Sequence, residues 1–435
     1  MIHQAEYVSQ SADVAEAVRD FYDRYPYPPP IDHLENYQRR WREPQRRRAD
    51  FHLMWPAHCY RENQSILIAG CGTSQAAKHA LRHPAAEITA IDCSSTSVNC
   101  TARLKKQYGL KNLAVHQFAL EQAGDLKMSF DQIVCTGVLH HLADPDAGLR
   151  ALRNVLKPDG AMHIMIYAPY GRAGIYMLQE FCRRIGIHAS DREIRDLTAA
   201  LAMLPRNHPL QSLLSQTPDF QNEAALADAL LHPHDRAYSV PQLFEFLEKG
   251  GLTFGRWVRQ APYSVHCGVM TQIPQSSRLA HLPLAEQYAA MELFRGTMVR
   301  HSVIGYRNDS ERCRPQAAFG DGDWLRHIPI RIPDTICVQD RVPPGSAAVL
   351  INRTHTYGDL FLPISQTEKV LFDAIDGVRS IRDLMEALPP TASRASTPDE
   401  VRVFFERLWW HDQIVFDQSA RRSMASASGP LMPAR

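Results

Sequence analysis

Ile66-Leu67-Ile68-Ala69-Gly70-Cys71-Gly72-Thr73-Ser74 is the stretch on which the fold turns. Its apolar start reads as a short buried strand, Ile66 to Ala69, of the kind that lies inside a covered parallel sheet. The strand runs into a Gly-x-Gly turn, and Ala76 to Leu81 follows as a helix. Glycines in such a turn let the backbone pass close to a ligand, and the helix start offers N–H groups without partners in the helix. Working outward, the next strand, Glu87 to Ile91, ends in Asp92, 22 positions after Gly70. An acid at the tip of the second strand, about 20 residues on, is placed to accept hydrogen bonds from ribose hydroxyls. A dinucleotide site would also want a third glycine, for close packing around a pyrophosphate. Gln75 stands there instead, so a nucleoside cofactor without phosphates is expected.

The alternation continues downstream. Helix Ser97 to Tyr108, strand Asn112 to Phe118, strand Phe130 to Cys135, helix Ala147 to Leu156 and strand Ala161 to Tyr167 make up a parallel sheet covered on both faces. Residues 1–60 form a helical arm with a proline-rich segment, Tyr22-Asp23-Arg24-Tyr25-Pro26-Tyr27-Pro28-Pro29-Pro30, whose prolines forbid helix. The α/β domain is expected over 61–273, with a helical insertion at about 174–231. Helix Val240 to Lys249 and strand Thr253 to Val258 resume the pattern, and Val265 to Met270 would complete the sheet. A helix-strand extension and linker take 274–323, a small winged-helix-like α+β domain 324–417, and a disordered tail 418–435.

Composition sets the outer bounds. The 435 residues exceed one ordinary domain, and 45% hydrophobic with 22% charged residues is globular composition. A formal net charge of +1 gives no field that would point to nucleic acid. The arginines at 39, 40, 42 and 46–48 read as a solvated helix face. None of the nine cysteines forms a CxxC pair, so reduced thiols and no structural zinc are expected. The first twenty residues have no secretion-signal pattern, and no apolar run approaches the ~18 residues that span a membrane, so a cytoplasmic protein is expected.

Taken together, ILIAGCGTS at 66–74, Asp92, FDQIVCTGVLHHLADP at 130–145 and LKPDG at 156–160 resemble class I, Rossmann-like S-adenosylmethionine-dependent methyltransferases. The resemblance implies S-adenosylmethionine as cofactor. It implies that Gly70, Cys71 and Gly72 hold the amino-acid end of the cofactor and Asp92 its ribose, with Ala119, Leu120 and Glu121 as a looser adenine wall and Thr136 on the same edge. The segment Tyr22-Asp23-x-x-Pro26-Tyr27-Pro28 is similar to one in a branch that includes bacterial protein-lysine methyltransferases.

Methyl transfer needs a nucleophile in line with the methyl group and, for some acceptors, a base. His140 follows the fourth strand at the carboxyl edge, where open parallel sheets bind ligands, and is a candidate base; loop shaping by His140 and His141 is the competing reading. Tyr22, Tyr25 and Tyr27 of the arm and Tyr170 after the fifth strand offer ring faces that can hold an amine. The loop Asp235 to Leu243, with Arg236 and Tyr238, can face the substrate. The C-terminal unit is similar to peptide-binding winged helices and carries more acids than bases over 365–417, which favours a protein contact or a homodimer over DNA. Three functions stay open: methylation of an oxygen or nitrogen on a protein or peptide, methylation of a small metabolite, and non-catalytic binding of S-adenosylmethionine for regulation. A nicotinamide-dependent oxidoreductase is disfavoured by Gln75.

Overall fold

Apolar strands that cannot face water on either side must lie inside a sheet covered by helices. The computed structural model describes residues 2–216, 222–310, 319, 322–389 and 397–419. It places Ser65–Ala69 (β1) near the middle of a seven-stranded sheet with Glu87–Asp92 (β2), Leu113–Gln117 (β3), Phe130–Thr136 (β4), Leu156–Tyr167 (β5), Leu252–Trp257 (β6) and Arg300–Arg307 (β7). The order is β3-β2-β1-β4-β5-β7-β6. β1 pairs in parallel with β2 and β4, β2 with β3 and β4 with β5. On one face Ile66, Ile68, Ala76, Ala80, Ile88 and Leu104 share a core. The strand order reverses between β1 and β4, which is where open sheets of this kind leave a crevice at their carboxyl ends.

One strand differs from the sequence expectation. Val265 to Met270 does not extend the sheet; Gly268–Thr271 is a 3₁₀ turn, with Gly268 at φ +63°. The sheet gains β7 instead, antiparallel to β5, from Ala161 opposite Tyr306 to Tyr167 opposite Arg300. Val303, Ile304 and Tyr306 are buried along it. Hydrophobic alternation identifies such a strand but not its direction or its slot between β5 and β6.

Two compact units divide the chain, and they do not follow the boundaries drawn at 60, 273 and 323. The first is 1–40, 62–254 and 292–310, the second 41–61, 255–291 and 311–435. In the first, the helices Ala173–Arg184, Asp191–Leu201, Leu210–Gln216 and Glu223–Leu230 form the insertion. Their leucines pack with Phe21 and Tyr25 of the N-terminal helix Ile2–Arg24.

The second unit holds a three-stranded antiparallel sheet of Thr335–Val338 (β9), Ala348–Asn352 (β10) and Phe361–Ile364 (β11), and a two-stranded ladder of Ile328–Arg331 (β8) with Ile414–Asp417 (β12). Helices Gln366–Ala374, Ile381–Glu386 and Pro398–Trp410 each begin with a capping box. Leu350, Leu371, Phe404, Phe405, Leu408 and Trp409 form their core, so Trp409 serves packing. Helix Pro44–Met54 belongs here because Ala49 packs with Ile330, Ile332 and Val415. Its arginines are not a solvated face: Arg46 pairs with Asp334 at 3.2 Å and Arg48 with Asp417 at 3.0 Å. The linker expected around 311–323 lies mostly outside the described residues, as does the tail beyond Ser419. Among the described residues no helix is long and apolar enough to cross a membrane.

A chain ending at Ser310 therefore keeps two stretches of the second unit without the rest. We expect calorimetry to lose one unfolding transition and an apolar dye to bind the shortened chain. A thermogram and dye response equal to those of the full chain would contradict this assembly.

Candidate active site

The glycine turn is held from three sides. Gly70 has φ +77° and Gly72 φ +52°, backbone that L side chains adopt only with strain. A Cβ on Gly70 would lie 2.1 Å from Val138 Cγ2, so the loop after β4 packs directly on the turn. Around Gly72 there is room: the nearest atoms to a Cβ there are Pro28 Cδ at 3.6 Å and the Tyr27 carbonyl oxygen at 3.8 Å. The Gly72 N–H donates to Asp92 Oδ2 at 2.8 Å, and the Ser94 N–H donates to Asp92 Oδ1 at 3.0 Å. The turn and the tip of β2 are thus one rigid piece. Burial raises the Asp92 pKa, and the two N–H donors oppose that rise. Thr101 donates to the Gly72 carbonyl at 2.8 Å, and Gln75 Nε2 donates to Thr136 Oγ1 at 2.7 Å. Gln75, where a dinucleotide site would have glycine, therefore ties the helix Gln75–Arg82 to the end of β4.

The arm is anchored over this edge. Thr73 Oγ1 donates to the Pro28 carbonyl at 2.7 Å. Asp23 Oδ1 accepts from Ser94 Oγ at 2.7 Å and from the Thr96 N–H at 3.0 Å, capping helix Ser95–Tyr108 from outside the helix. These donors help hold the Asp23 carboxyl below its ordinary range against its partial burial. Tyr22 donates to Asp228 Oδ1 and Tyr25 to Asp191 Oδ1, both at 2.9 Å. Two of the three arm tyrosines expected to offer ring faces to an amine are thus bonded to the helical insertion.

Beyond the turn, the carboxyl ends of β4 and β5 carry a buried polar cluster. His140 is fully buried, with its ring 4.0 Å from Tyr167 and 4.2 Å from His141 between centroids. Burial, then the neighbouring His141, Arg172 and His232, push the His140 pKa well below the ordinary imidazole range, so the ring is neutral. His141 and His232 are lowered too, first by burial. Tyr167 donates to Asp228 Oδ2 at 3.2 Å, and the Arg172 guanidinium lies 3.5 Å over the Tyr167 ring. Arg172 also pairs with Asp235 at 3.2 Å. The loop 235–238 runs along this edge by backbone bonds, Arg236 N–H to the His140 carbonyl at 3.1 Å and Tyr238 N–H to the Tyr167 carbonyl at 2.9 Å.

The expected site residues fall into four groups. Gly70, Gly72, Asp92 and Thr136 lie together at the sheet edge, with His140 next to them and the Tyr27 carbonyl over Gly72. Cys71 is buried beside Thr101, its Sγ 3.7 Å from Oγ1, so only its backbone lines the turn. Leu120 is buried against the helix Pro145–Val155, where it would meet a Cβ on Gly148 at 3.2 Å, while Glu121 is exposed and Ala119 half-buried. Tyr170 is 43% exposed and stands apart from the buried cluster, which holds Tyr167 instead. Sequence reasoning passed over Asp228 and His232, and gave Asp235 only as the start of the loop 235–243. The available signal was an aspartate inside the apolar helix EAALADAL followed by His-Pro-His-Asp at 232–235.

Residues 67–162 match a family described as "Methyltransferase domain". An uncharacterized Synechococcus protein is 34% identical over 254 residues, which is 55% of this chain and 59% of that protein. A ubiquinone biosynthesis O-methyltransferase of Neisseria meningitidis is 34% identical over 107 residues, 24% of this chain and 44% of the enzyme. The chain thus spans about half the length of these curated relatives. Among solved structures, PKMT2 from Rickettsia typhi in complex with AdoHcy has the same fold, with a TM-score of 0.59 at 13% identity over 86% of this chain and 75% of that one. Residues 67–162 accordingly carry the match to a methyltransferase domain, and the sheet that contains them has the Rossmann-like fold.

Proposed function

We propose that the protein is an S-adenosylmethionine-dependent methyltransferase acting on an oxygen or nitrogen nucleophile of a protein or peptide. The observation that carries the cofactor half is the Gly70–Gly72 turn bonded to Asp92, with open space at Gly72. That open space is a cradle a side chain would fill, and it fits the amino-acid end of the cofactor. Asp92 keeps carboxylate lone pairs beyond its two N–H bonds for ribose hydroxyls. Ala119, Leu120 and Glu121 border the adenine, and Cys71 and Thr136 complete the edge. When bound, S-adenosylmethionine supplies an electrophilic methyl group on a sulfonium.

The rest is done by this chain. Tyr27 and Tyr167 orient the acceptor, and the neutral imidazole of His140 offers it an unprotonated nitrogen. The tyrosine phenols of 22 and 167, raised well above their ordinary pKa by burial and by Asp228, stay protonated and act as donors. A protein acceptor is supported by the extent of the fold likeness to PKMT2, which runs far beyond residues 67–162. A small-metabolite acceptor is the second reading, favoured by the burial of His140, His141 and Asp228, which suits a group the size of one side chain or one small molecule.

Calorimetry with S-adenosylhomocysteine tests the first half. Asp92→Ala should weaken binding by about 1.5–3 kcal/mol, the scale of hydrogen bonds to a charged group. Unchanged affinity in a folded variant would remove Asp92 from the site. Transfer of labelled methyl to a lysate, sorted into protein, nucleic acid and small molecules, tests the second half. Binding without any transfer would leave a regulatory S-adenosylmethionine-binding protein.

A further inference from the structure

The histidines at the carboxyl edge differ in where their protons sit. His141 Nδ1 lies 2.8 Å from the His234 carbonyl oxygen, so Nδ1 carries the hydrogen and donates it. That leaves the Nε2 lone pair of His141 open. His232 is the reverse: its Nδ1 accepts from the His234 N–H at 3.1 Å, so its hydrogen sits on Nε2. His140 is buried with neither ring nitrogen hydrogen-bonded, and Asp235 Oδ1 is likewise buried without a partner. The other oxygen of Asp235 accepts from Arg172 at 3.2 Å and from Gln179 at 3.1 Å. His140, His141 and Asp235 thus each bring one ligand atom to within 4.8 Å of the others, and among them both His140 nitrogens and Asp235 Oδ1 are buried without a hydrogen-bond partner. Native interiors rarely leave such atoms unmet.

A second trio, His141, Asp228 and His232, has the same spacing. It is the poorer set. The Nε2 of His232 is protonated, and the two Asp228 oxygens already accept from Tyr22 at 2.9 Å and Tyr167 at 3.2 Å.

We propose that His140, His141 and Asp235 bind a divalent first-row metal ion, zinc being the first choice, and that the ion holds the methyl acceptor through a hydroxyl oxygen. Two imidazoles and one carboxylate are the donor set of a catalytic site with an open position. The surroundings are those such a site needs: the His234 carbonyl fixes the His141 tautomer, and Arg172 with Gln179 fixes the Asp235 carboxylate. Asp228 and Asp235 face one guanidinium, that of Arg172, which leaves the pocket short of positive charge. Bond lengths of about 2.0–2.2 Å would draw the three donors together by side-chain rotation.

The location gives the ion a task. Val138, two residues before His140, packs on Gly70 of the turn. An acceptor hydroxyl in the open position loses its proton to solvent more easily. Its lone pair then forms the O–C bond to the methyl group while the C–S bond breaks with its electron pair going to sulfur, giving a methyl ether or ester and S-adenosylhomocysteine. His140 serves here as a ligand rather than as the general base. The absence of CxxC pairs, from which no structural zinc was expected, concerns thiolate sites and not this set. The acceptor part rests on the methyltransferase reading; metal binding does not.

The test uses the full-length protein after chelator treatment and dialysis. Zinc is titrated by calorimetry, cobalt is followed by its visible absorption, and the zinc-loaded protein is examined by X-ray absorption. We expect one equivalent bound, a first shell of nitrogen and oxygen with the signature of two imidazoles, and no sulfur. Asp235→Asn and His141→Gln should weaken metal binding by at least about 100-fold, more than the roughly 10–100-fold that outer-shell changes cost. S-adenosylhomocysteine affinity should stay within about threefold, which also shows the variants to be folded. Less than a tenth of an equivalent bound, a sulfur first shell, or parental metal affinity in both variants would overturn the proposal. Should the variants fail to fold, stoichiometry and first shell on the parent decide. Cofactor binding without metal binding would leave the methyltransferase reading standing and this one refuted.

Discussion

Gly72→Val is expected to abolish binding of S-adenosylhomocysteine, by more than about 100-fold, in a protein that stays folded. The argument rests on the contrast with Gly70. At Gly72 a Cβ would have ordinary contacts, the nearest at 3.6 Å, so the cost to the fold is mainly that of a branched residue at φ +52°. Such backbone strain is on the order of 1–3 kcal/mol, which a chain of this size can absorb. The volume the valine takes is the volume proposed for the cofactor. At Gly70 a Cβ would collide with Val138 Cγ2 at 2.1 Å, so Gly70→Ala should instead lower the unfolding temperature, shifting the loop that carries His140. Calorimetry for the ligand and circular dichroism for the fold separate the two. Tight binding by a folded Gly72→Val protein would place the cofactor elsewhere.

Tyr167→Ala should lower methyl transfer by at least about 100-fold while cofactor affinity changes by less than about threefold. Its ring is the floor on which His140 and the Arg172 guanidinium lie, at 4.0 and 3.5 Å, and its hydroxyl bonds Asp228 at 3.2 Å. Removing it frees three groups at once, and misplacement of an acceptor by about 1 Å already costs on the order of 100-fold. Tyr27→Ala should act in the same direction through the arm. Tyr170→Ala should do little, because that ring is 43% exposed and outside the cluster. Single-turnover measurements with an identified acceptor check the ranking; parental turnover in Tyr167→Ala would move the acceptor off this edge.

What could be read in the sequence is what local chemistry dictates. Gly70, Gly72 and Asp92 announce themselves because a ligand-cradling turn and an acid at the next strand tip lie within 22 residues. The apolar runs of β1 and β4 likewise have one reading, as strands covered on both faces. The acceptor side is different. Asp228 sits in a helix whose other positions are alanine, leucine and one glutamate, and only tertiary packing brings it under Tyr22 and Tyr167. Which histidine nitrogen is open depends on the His234 backbone, and no spacing rule encodes that. Strand β7 has a readable pattern, but its antiparallel place between β5 and β6 is a long-range outcome.

The interleaving of the two units has a consequence for biosynthesis. Arg48 and Asp417 pair across 369 residues of chain. At about 5–20 residues per second, helix Pro44–Met54 leaves the ribosome on the order of 20–70 s before its partner strand β12 exists. Throughout that time Ala49 lacks Ile330, Ile332 and Val415, on which it packs in the finished protein. The methyltransferase sheet has to wait as well, since the edge of β5 stays unpaired until residues 300–307 emerge. Neither unit can close from the N-terminus outward. During translation, the nascent chain is therefore expected to depend on chaperones that shield apolar helices and strand edges, more than its two-unit organisation alone would indicate.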